Sequence, residues 1–237
     1  MPDIAHRRPA ANHRPRGVLA LLGALLIALA GPVHAQDPHE AGSPALTPPD
    51  RVMRQAAEQM FTALRDHRAD LQKDPTYIYK LVDRVLVPHV DFDRASHWVL
   101  GRYWRRASAD QRRRFIHEFK TLLVRFYSNA LAEYARGHEL QQDMITFLPL
   151  RSDDGARDVT VRSLVHQPNG TSVAVNYELH REPDGWKVYD VTVEGISMVT
   201  TYRSSFAEEI RRGGIDGLIR TLAERNRKLL ASSAGRP

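Results

Sequence analysis

The sequence predicts an α+β fold, a curved antiparallel sheet of about four strands with helices packed on one side. Three observations predict it. Apolar residues recur at helical spacing from Val52 to Tyr134, the period changes from 3.6 to 2 after Gly137, and helical spacing returns after Met198. The alternating runs are separated by hairpin signals, and no internal repeat interrupts this order.

The chain opens on Arg7, Arg8, Arg14 and Arg16, followed by an uncharged run from Gly17 to Ala30 and by Val33-His34-Ala35. This is the pattern of a secretory signal peptide over residues 1–35, cleaved after Ala35. The apolar run is shorter than the roughly 20 residues a spanning helix needs. Pro9-Ala10-Ala11 follows the Arg7-Arg8 pair where a twin-arginine signal would carry apolar residues, so general export to the periplasm is expected. Residues 36–49 hold Pro38, Pro44, Pro48 and Pro49 with Gly42 and Ser43, the composition of a disordered linker. Residues 50–231 then read as one folded domain and 232–237 as a disordered tail. With no cysteine, the exported protein is neither acylated as a lipoprotein nor stapled by disulfides, so its stability must come from an apolar core.

The first helix carries Val52, Ala56, Met60, Ala63 and Leu64. Asp74-Pro75 reads as an N-cap and first helical position for a helix through Ile78, Leu81, Val82 and Val85, stopped by Pro88. Asp91 or Asp93 caps a short helix bearing Trp98, Val99 and Leu100, which ends at Gly101. Ser108 and Gln111 form a capping box for the longest helix. That helix has one row of Phe115, Phe119, Leu122 and Phe126 and a second of Ile116, Leu123, Tyr127, Ala130 and Tyr134, a face wide enough to cover a sheet or line a cavity. Gly137 is expected to end it.

Ile145 and Phe147 mark a first strand, Val159 and Val161 a second, Val173, Val175, Tyr177 and Leu179 a third, and Tyr189, Val191 and Val193 a fourth. Asp153-Asp154-Gly155, Pro168-Asn169-Gly170 and Pro183-Asp184-Gly185 are the turns. The closing helices carry Val199, Tyr202, Phe206 and Ile210, then Ile215, Leu218, Ile219 and Leu222, divided at Gly213-Gly214.

Catalytic patterns are incomplete. His117-Glu118 begins a zinc-protease motif, but Thr121 stands where the second histidine belongs. Gly195-Ile196-Ser197-Met198-Val199 imitates a nucleophile elbow without its final glycine, so Ser197 is better read as a helix N-cap. Asp190 allows an enzymatic alternative, a periplasmic catalyst on an NTF2-like cone using Asp190 with a pocket tyrosine. Its alternation with Tyr189 and Val191 points it away from a cavity they would face and favours a structural hydrogen bond. Arg102, Arg105, Arg106 and Arg112-Arg113-Arg114 lack the interleaved stacking aromatics of a nucleic-acid surface. Of 34 basic and 28 acidic residues, removal of the leader leaves 30 against 27, a mild excess that suits phosphate head groups or acidic surfaces better than nucleic acid.

Five segments in order carry a family likeness: Val87-Pro88-His89-Val90-Asp91-Phe92, Leu100-Gly101-Arg102-Tyr103-Trp104, the Gln111-to-Tyr127 helix, Gly185-Trp186-Lys187-Val188-Tyr189-Asp190-Val191, and Glu194-Gly195-Ile196-Ser197-Met198 leading to Tyr202-Arg203-Ser204-Ser205-Phe206. From Val52 to Leu230 the chain resembles the MlaC family of toluene-tolerance periplasmic proteins, with Met198 where leucine is commoner. The resemblance implies a soluble, non-enzymatic phospholipid carrier that maintains outer-membrane lipid asymmetry. Its implied partners are an outer-membrane lipoprotein and porin complex and an inner-membrane ABC transporter complex with an MCE-type subunit. Phospholipid is then cargo, no metal or cofactor is implied, and the carrier is a monomer with an NTF2-like, cone-shaped cavity between sheet and helices. The candidate lining is Ile145, Phe147, Val161, Val175, Tyr177, Tyr189 and Val191 on the strands, opposite Trp98, Tyr103, Phe119, Leu123, Phe126 and Tyr127 on the helices.

Overall fold

The structure, a computed structural model, describes residues 47–137, 144–151 and 155–234. The expected signal peptide, most of the linker, Asp153-Asp154 of the first hairpin turn and the last three residues lie outside these.

Six elements precede the long helix, four of them helices and two 3-10 turns. Helix α1 (Pro49–Asp66) starts with a proline in its first turn and buries Met53, Ala57, Met60, Phe61 and Leu64 along one stripe. The short α2 (Arg68–Lys73) buries nothing. Helix α3 (Tyr77–Val85) begins later than the Asp74-Pro75 signal indicates. The Asp74 carboxylate instead accepts hydrogen bonds from the Thr76 backbone N–H at 2.9 Å and its hydroxyl at 2.6 Å. That local turn competes with capping and places Pro75 before the helix. Pro88 lies in a 3-10 turn over Val87–His89, and Asp91 caps α4 (Phe92–Leu100) by accepting from Arg94 N–H at 2.8 Å.

The capping box forms in both directions. Ser108 Oγ accepts from Gln111 N–H at 3.1 Å and Gln111 Oε1 from Ser108 N–H at 3.0 Å, opening α5 (Ala109–Gly137). The chain closes in α6 (Met198–Ala234), which continues past residue 231 and breaks at Gly214, where φ 68° and ψ −177° leave the helical region.

The sheet is an antiparallel meander of five strands rather than about four: β1 (Ile145–Phe147), β2 (Asp158–His166), β3 (Ser172–Glu182), β4 (Gly185–Val193) and β5 (Ile196–Ser197) in that spatial order. The fifth strand is only two residues long, too short for period-2 alternation to reveal. In β2 and β3 every second residue is buried, so one face is dry and carries the helices while the other meets solvent. The register bears this out, pairing Val161 with Tyr177 and Val159 with Leu179 across the dry face.

In β4 the alternation breaks. Glu178 pairs with Asp190 but Leu179 with Val188, leaving Tyr189 as an extra residue in a β-bulge. The dry side of β4 is therefore Trp186 and Val188 before the bulge and Val191 and Val193 after it, not one row running through Tyr189. Beside the bulge, Val90 bridges Val188 in parallel and Asp91 N–H donates to Val188 O at 2.8 Å, which pins the segment after α3 to the sheet edge.

The interior forms two apolar clusters. One joins α1 and α3 to the sheet through residues such as Met60, Leu81, Val161, Tyr177 and Val188. The other joins α4, α5 and α6 through Val99, Phe115, Phe119, Phe206 and Leu222. They meet without merging.

Candidate functional site

Where the two clusters face each other, packing leaves a cavity of about 240 Å³ that is open to solvent. Its floor is Tyr177 of β3 with Val188, Tyr189, Asp190 and Val191 of β4. Helix α5 supplies Phe119, Leu123, Val124, Tyr127, Ser128 and Leu131, the stripe that 3.6-residue periodicity puts on one face. Val82, Leu86, Val87 and Val90 close one side, Phe92 and Ala95 of α4 another, and Met198, Val199 and Tyr202 of α6 a third. Well-packed interiors hold few voids larger than a water molecule, so a space of this size lined by apolar side chains is a built feature.

Apart from the Asp190 carboxylate, polar atoms in the walls are few and neutral. Tyr127 and Tyr202 interact through their hydroxyls, and Tyr127 Oη also lies 3.8 Å from Met198 Sδ. Burial pushes both phenols above the usual tyrosine range, so neither ionises near neutral pH. Ser128 is fully buried, and its Oγ has no hydrogen-bond partner among the described residues. Desolvation and then the nearby Lys187 charge hold His89, between Val87 and Val90, below the ordinary histidine range, keeping it uncharged at neutral pH.

Asp190 is engaged by the fold. Its Oδ1 accepts from Val191 N–H at 2.8 Å and Val199 N–H at 3.0 Å, and its Oδ2 from Ser197 Oγ at 2.5 Å. Ser197 Oγ in turn accepts from Thr200 N–H at 3.0 Å, capping α6 as its sequence position indicates. The carboxylate thus sits at the positive end of α6 and ties that helix, with its three wall residues, to β4. These donors take three of the carboxylate's roughly four acceptor sites. Asp190→Ala is expected to cost about 2–3 kcal/mol, the worth of hydrogen bonds to a charged group with donors left unpaired. Urea unfolding checks this, and a loss below about 1 kcal/mol would remove the latch from the account.

Of the residues expected to line a pocket, the structure brings together Phe119, Leu123, Tyr127, Tyr177, Tyr189 and Val191. Tyr189 takes part from the bulge, its ring 4.9 Å below the Arg94 guanidinium. The other seven lie elsewhere. Ile145, Phe147, Val161 and Val175 are buried in the sheet-side cluster, because α1 packs over β2 and leaves no space there. Phe126 turns edge-on to Tyr127, 5.3 Å between ring centres, outside the cavity wall. Trp98 is 48% exposed on the outer side of α4, and Tyr103 lies in the following 3-10 turn beside Arg102. Residues the sequence reasoning did not place at the cavity include the short apolar run from Leu86 to Phe92, the small Ala95 and Ser128, Val124 and Leu131 of α5, Val188 of β4, and Met198, Val199 and Tyr202 of α6. The run was visible as Val87-Pro88-His89-Val90-Asp91-Phe92, but its lack of period gave no face.

Among the described residues, no group of three His, Cys, Asp or Glu side chains is placed to hold a metal ion, and no helix is long and apolar enough to cross a membrane. The model of the MlaC protein family matches residues 54–224. Toluene tolerance protein ttg2D of Pseudomonas putida is 32% identical over 202 residues, spanning 85% of this chain and 84% of that protein. The intermembrane phospholipid transport system binding protein MlaC of Haemophilus influenzae is 30% identical over 178 residues, spanning 74% and 80%. A phospholipid-binding protein from Ralstonia solanacearum, solved in complex with a phospholipid, shares the fold with a TM-score of 0.67 at 32% identity, covering 76% of this chain and 98% of that one. A cavity that is open, dry and set between sheet and helices, on a chain matched over most of its length, carries one conclusion: the protein belongs to the MlaC family.

Proposed function

We propose that this protein is a periplasmic phospholipid carrier without catalytic activity, moving lipids between an outer-membrane lipoprotein and porin complex and an inner-membrane ABC transporter complex with an MCE-type subunit. Through that exchange it would maintain outer-membrane lipid asymmetry, working as a monomer exported by a cleaved signal peptide. The observation that carries the reading is the unfilled apolar cavity at the seam of the two cores. Each acyl methylene withdrawn from a bilayer forfeits about 0.8 kcal/mol unless it meets an equally dry surface, and these walls offer one. The phospholipid-bound relative from Ralstonia solanacearum supports the same cargo. Phospholipid is cargo here, not a cofactor, and Phe119, Leu123, Tyr127, Tyr177, Tyr189 and Val191 are its proposed contacts.

At about 240 Å³ the cavity falls below the roughly 300–1,000 Å³ of sites for drug-sized ligands, so seating acyl chains requires the walls to part. Native mass spectrometry and organic extraction of protein purified from a Gram-negative periplasm test the reading. A mass increment matching a phospholipid is expected, with the same lipid in the extract. Folded protein that yields no lipid and takes none up from phospholipid vesicles would overturn it.

A further inference from the structure

The arginine clusters are not used by the cavity. On one face of the molecule, formed by α4, the 3-10 turn Gly101–Arg106 and the first half of α6, guanidinium groups and aromatic rings alternate. Arg203 lies 5.8 Å from the centre of the Trp98 ring and donates from Nε to Trp98 O at 2.7 Å. Arg102 lies 5.0 Å from the Tyr103 ring, and Arg112 lies 5.1 Å from the Trp104 ring. Arg102 Nη2 donates to Tyr103 Oη at 3.0 Å, and that hydrogen bond, with the charges of Arg102, Arg211 and Arg106, draws the phenol's pKa below the usual range.

Among the described residues, Arg102, Arg105, Arg106, Arg112 and Arg203 take part in no ion pair, whereas Arg113 and Arg114 are held by Asp110, and Arg114 also by Asp216. Gly101, at φ 52°, turns the chain beside Arg203, where an added Cβ would stand 3.5 Å from Nε.

We infer that this face is a docking surface for anionic phospholipid bilayers, with Trp98 and Tyr103 seated at head-group level and the unpaired guanidinium groups on lipid phosphates. Charge complementarity and the aromatic content argue for that occupant. Tryptophan and tyrosine favour the membrane–water boundary, and arginine forks suit phosphate oxygens. A protein partner would need an apolar centre to its interface, and among the described residues Trp98 is the one large apolar side chain exposed on this face, the others, Ile196 and Leu230, lying on β5 and the far half of α6. The docking elements also wall the cavity: Ala95 and Trp98 share α4, and Tyr202 and Arg203 are adjacent on α6. Binding here would bring two cavity walls against the lipid surface. The inference goes beyond cargo binding and has a separate readout.

Co-sedimentation of the mature chain with phosphatidylcholine vesicles, with and without phosphatidylglycerol, tests it. Partition onto the phosphatidylglycerol vesicles that weakens with salt is expected. Reversing Arg102→Glu with Arg106→Glu should lower it about tenfold or more, each cation near an anionic surface being worth about fivefold. The control pair Arg65→Glu with Arg68→Glu, exposed on α1 and α2, makes the same net change and should leave partition within about twofold. No partition on anionic vesicles, or equal loss in both pairs, would overturn the docking face, as would binding confined to an acidic protein. Organic extraction of the unsubstituted chain, beside its own co-sedimentation, keeps the two readings apart. Lipid retained without vesicle binding refutes the face alone, and an empty extract with vesicle binding intact refutes the cargo alone.

Discussion

Phe206→Ala is expected to destabilise the protein by about 3–5 kcal/mol, the range for emptying a buried phenylalanine site. Phe206 is 1% exposed and meets Phe115 edge-on at 6.0 Å, Phe119 edge-on at 5.8 Å and Tyr202 at 5.4 Å between ring centres. Those rings form the hub of the helical cluster, and such aromatic pairs contribute beyond their buried area. Two of them, Phe119 and Tyr202, are also cavity walls, so the hole would open beside an existing void where little can collapse to fill it. Domains of this kind hold about 5–15 kcal/mol in all, which makes the loss a large share of the total. Urea unfolding measures it. A loss under about 2 kcal/mol would mean that the cluster repacks and is not the support for α6 described here.

Leu123→Trp is expected to lower phospholipid occupancy at least about tenfold while leaving the chain folded. Leu123 is half-buried in the middle of the α5 wall, with open space before it. An indole there fills on the order of two water volumes of about 30 Å³ each. That displaces roughly two methylenes at about 0.8 kcal/mol apiece, enough for a tenfold change in affinity. Overpacking in a full core costs about 1–3 kcal/mol, and a side chain growing into a void should cost less. Extracted lipid per chain, beside a thermal melt, decides the matter. Unchanged lipid content in a stable variant would place the acyl chains outside this cavity.

Asp190 shows how far local reading went. Its phase along β4 pointed to a structural hydrogen bond, and the carboxylate does bind Ser197 and the start of α6. Yet the reasoning assumed an unbroken alternation, and the bulge at Tyr189 shifts the strand midway. A bulge inserts one residue without changing composition, so periodicity cannot show it. Tyr189 consequently reaches the cavity by a route different from the one its spacing implied. Trp98 failed in the opposite way. Its neighbours Val99 and Leu100 are buried, but the helix is short, and only its contact with α6 settles which side faces out.

The amino-acid order by itself determined the α+β class, the capping box at Ser108, the break near Gly214 and the dry faces of β2 and β3, because each depends on a few neighbouring residues and on periods of 3.6 or 2. Tertiary structure alone decided where the interior stays empty. A side chain that lines a void and one that fills a core bury the same apolar atoms, and the difference lies in what stands opposite. The covering of β1 and β2 by α1, and the gap left above β3 and β4 between two cores, are properties of elements far apart in the chain.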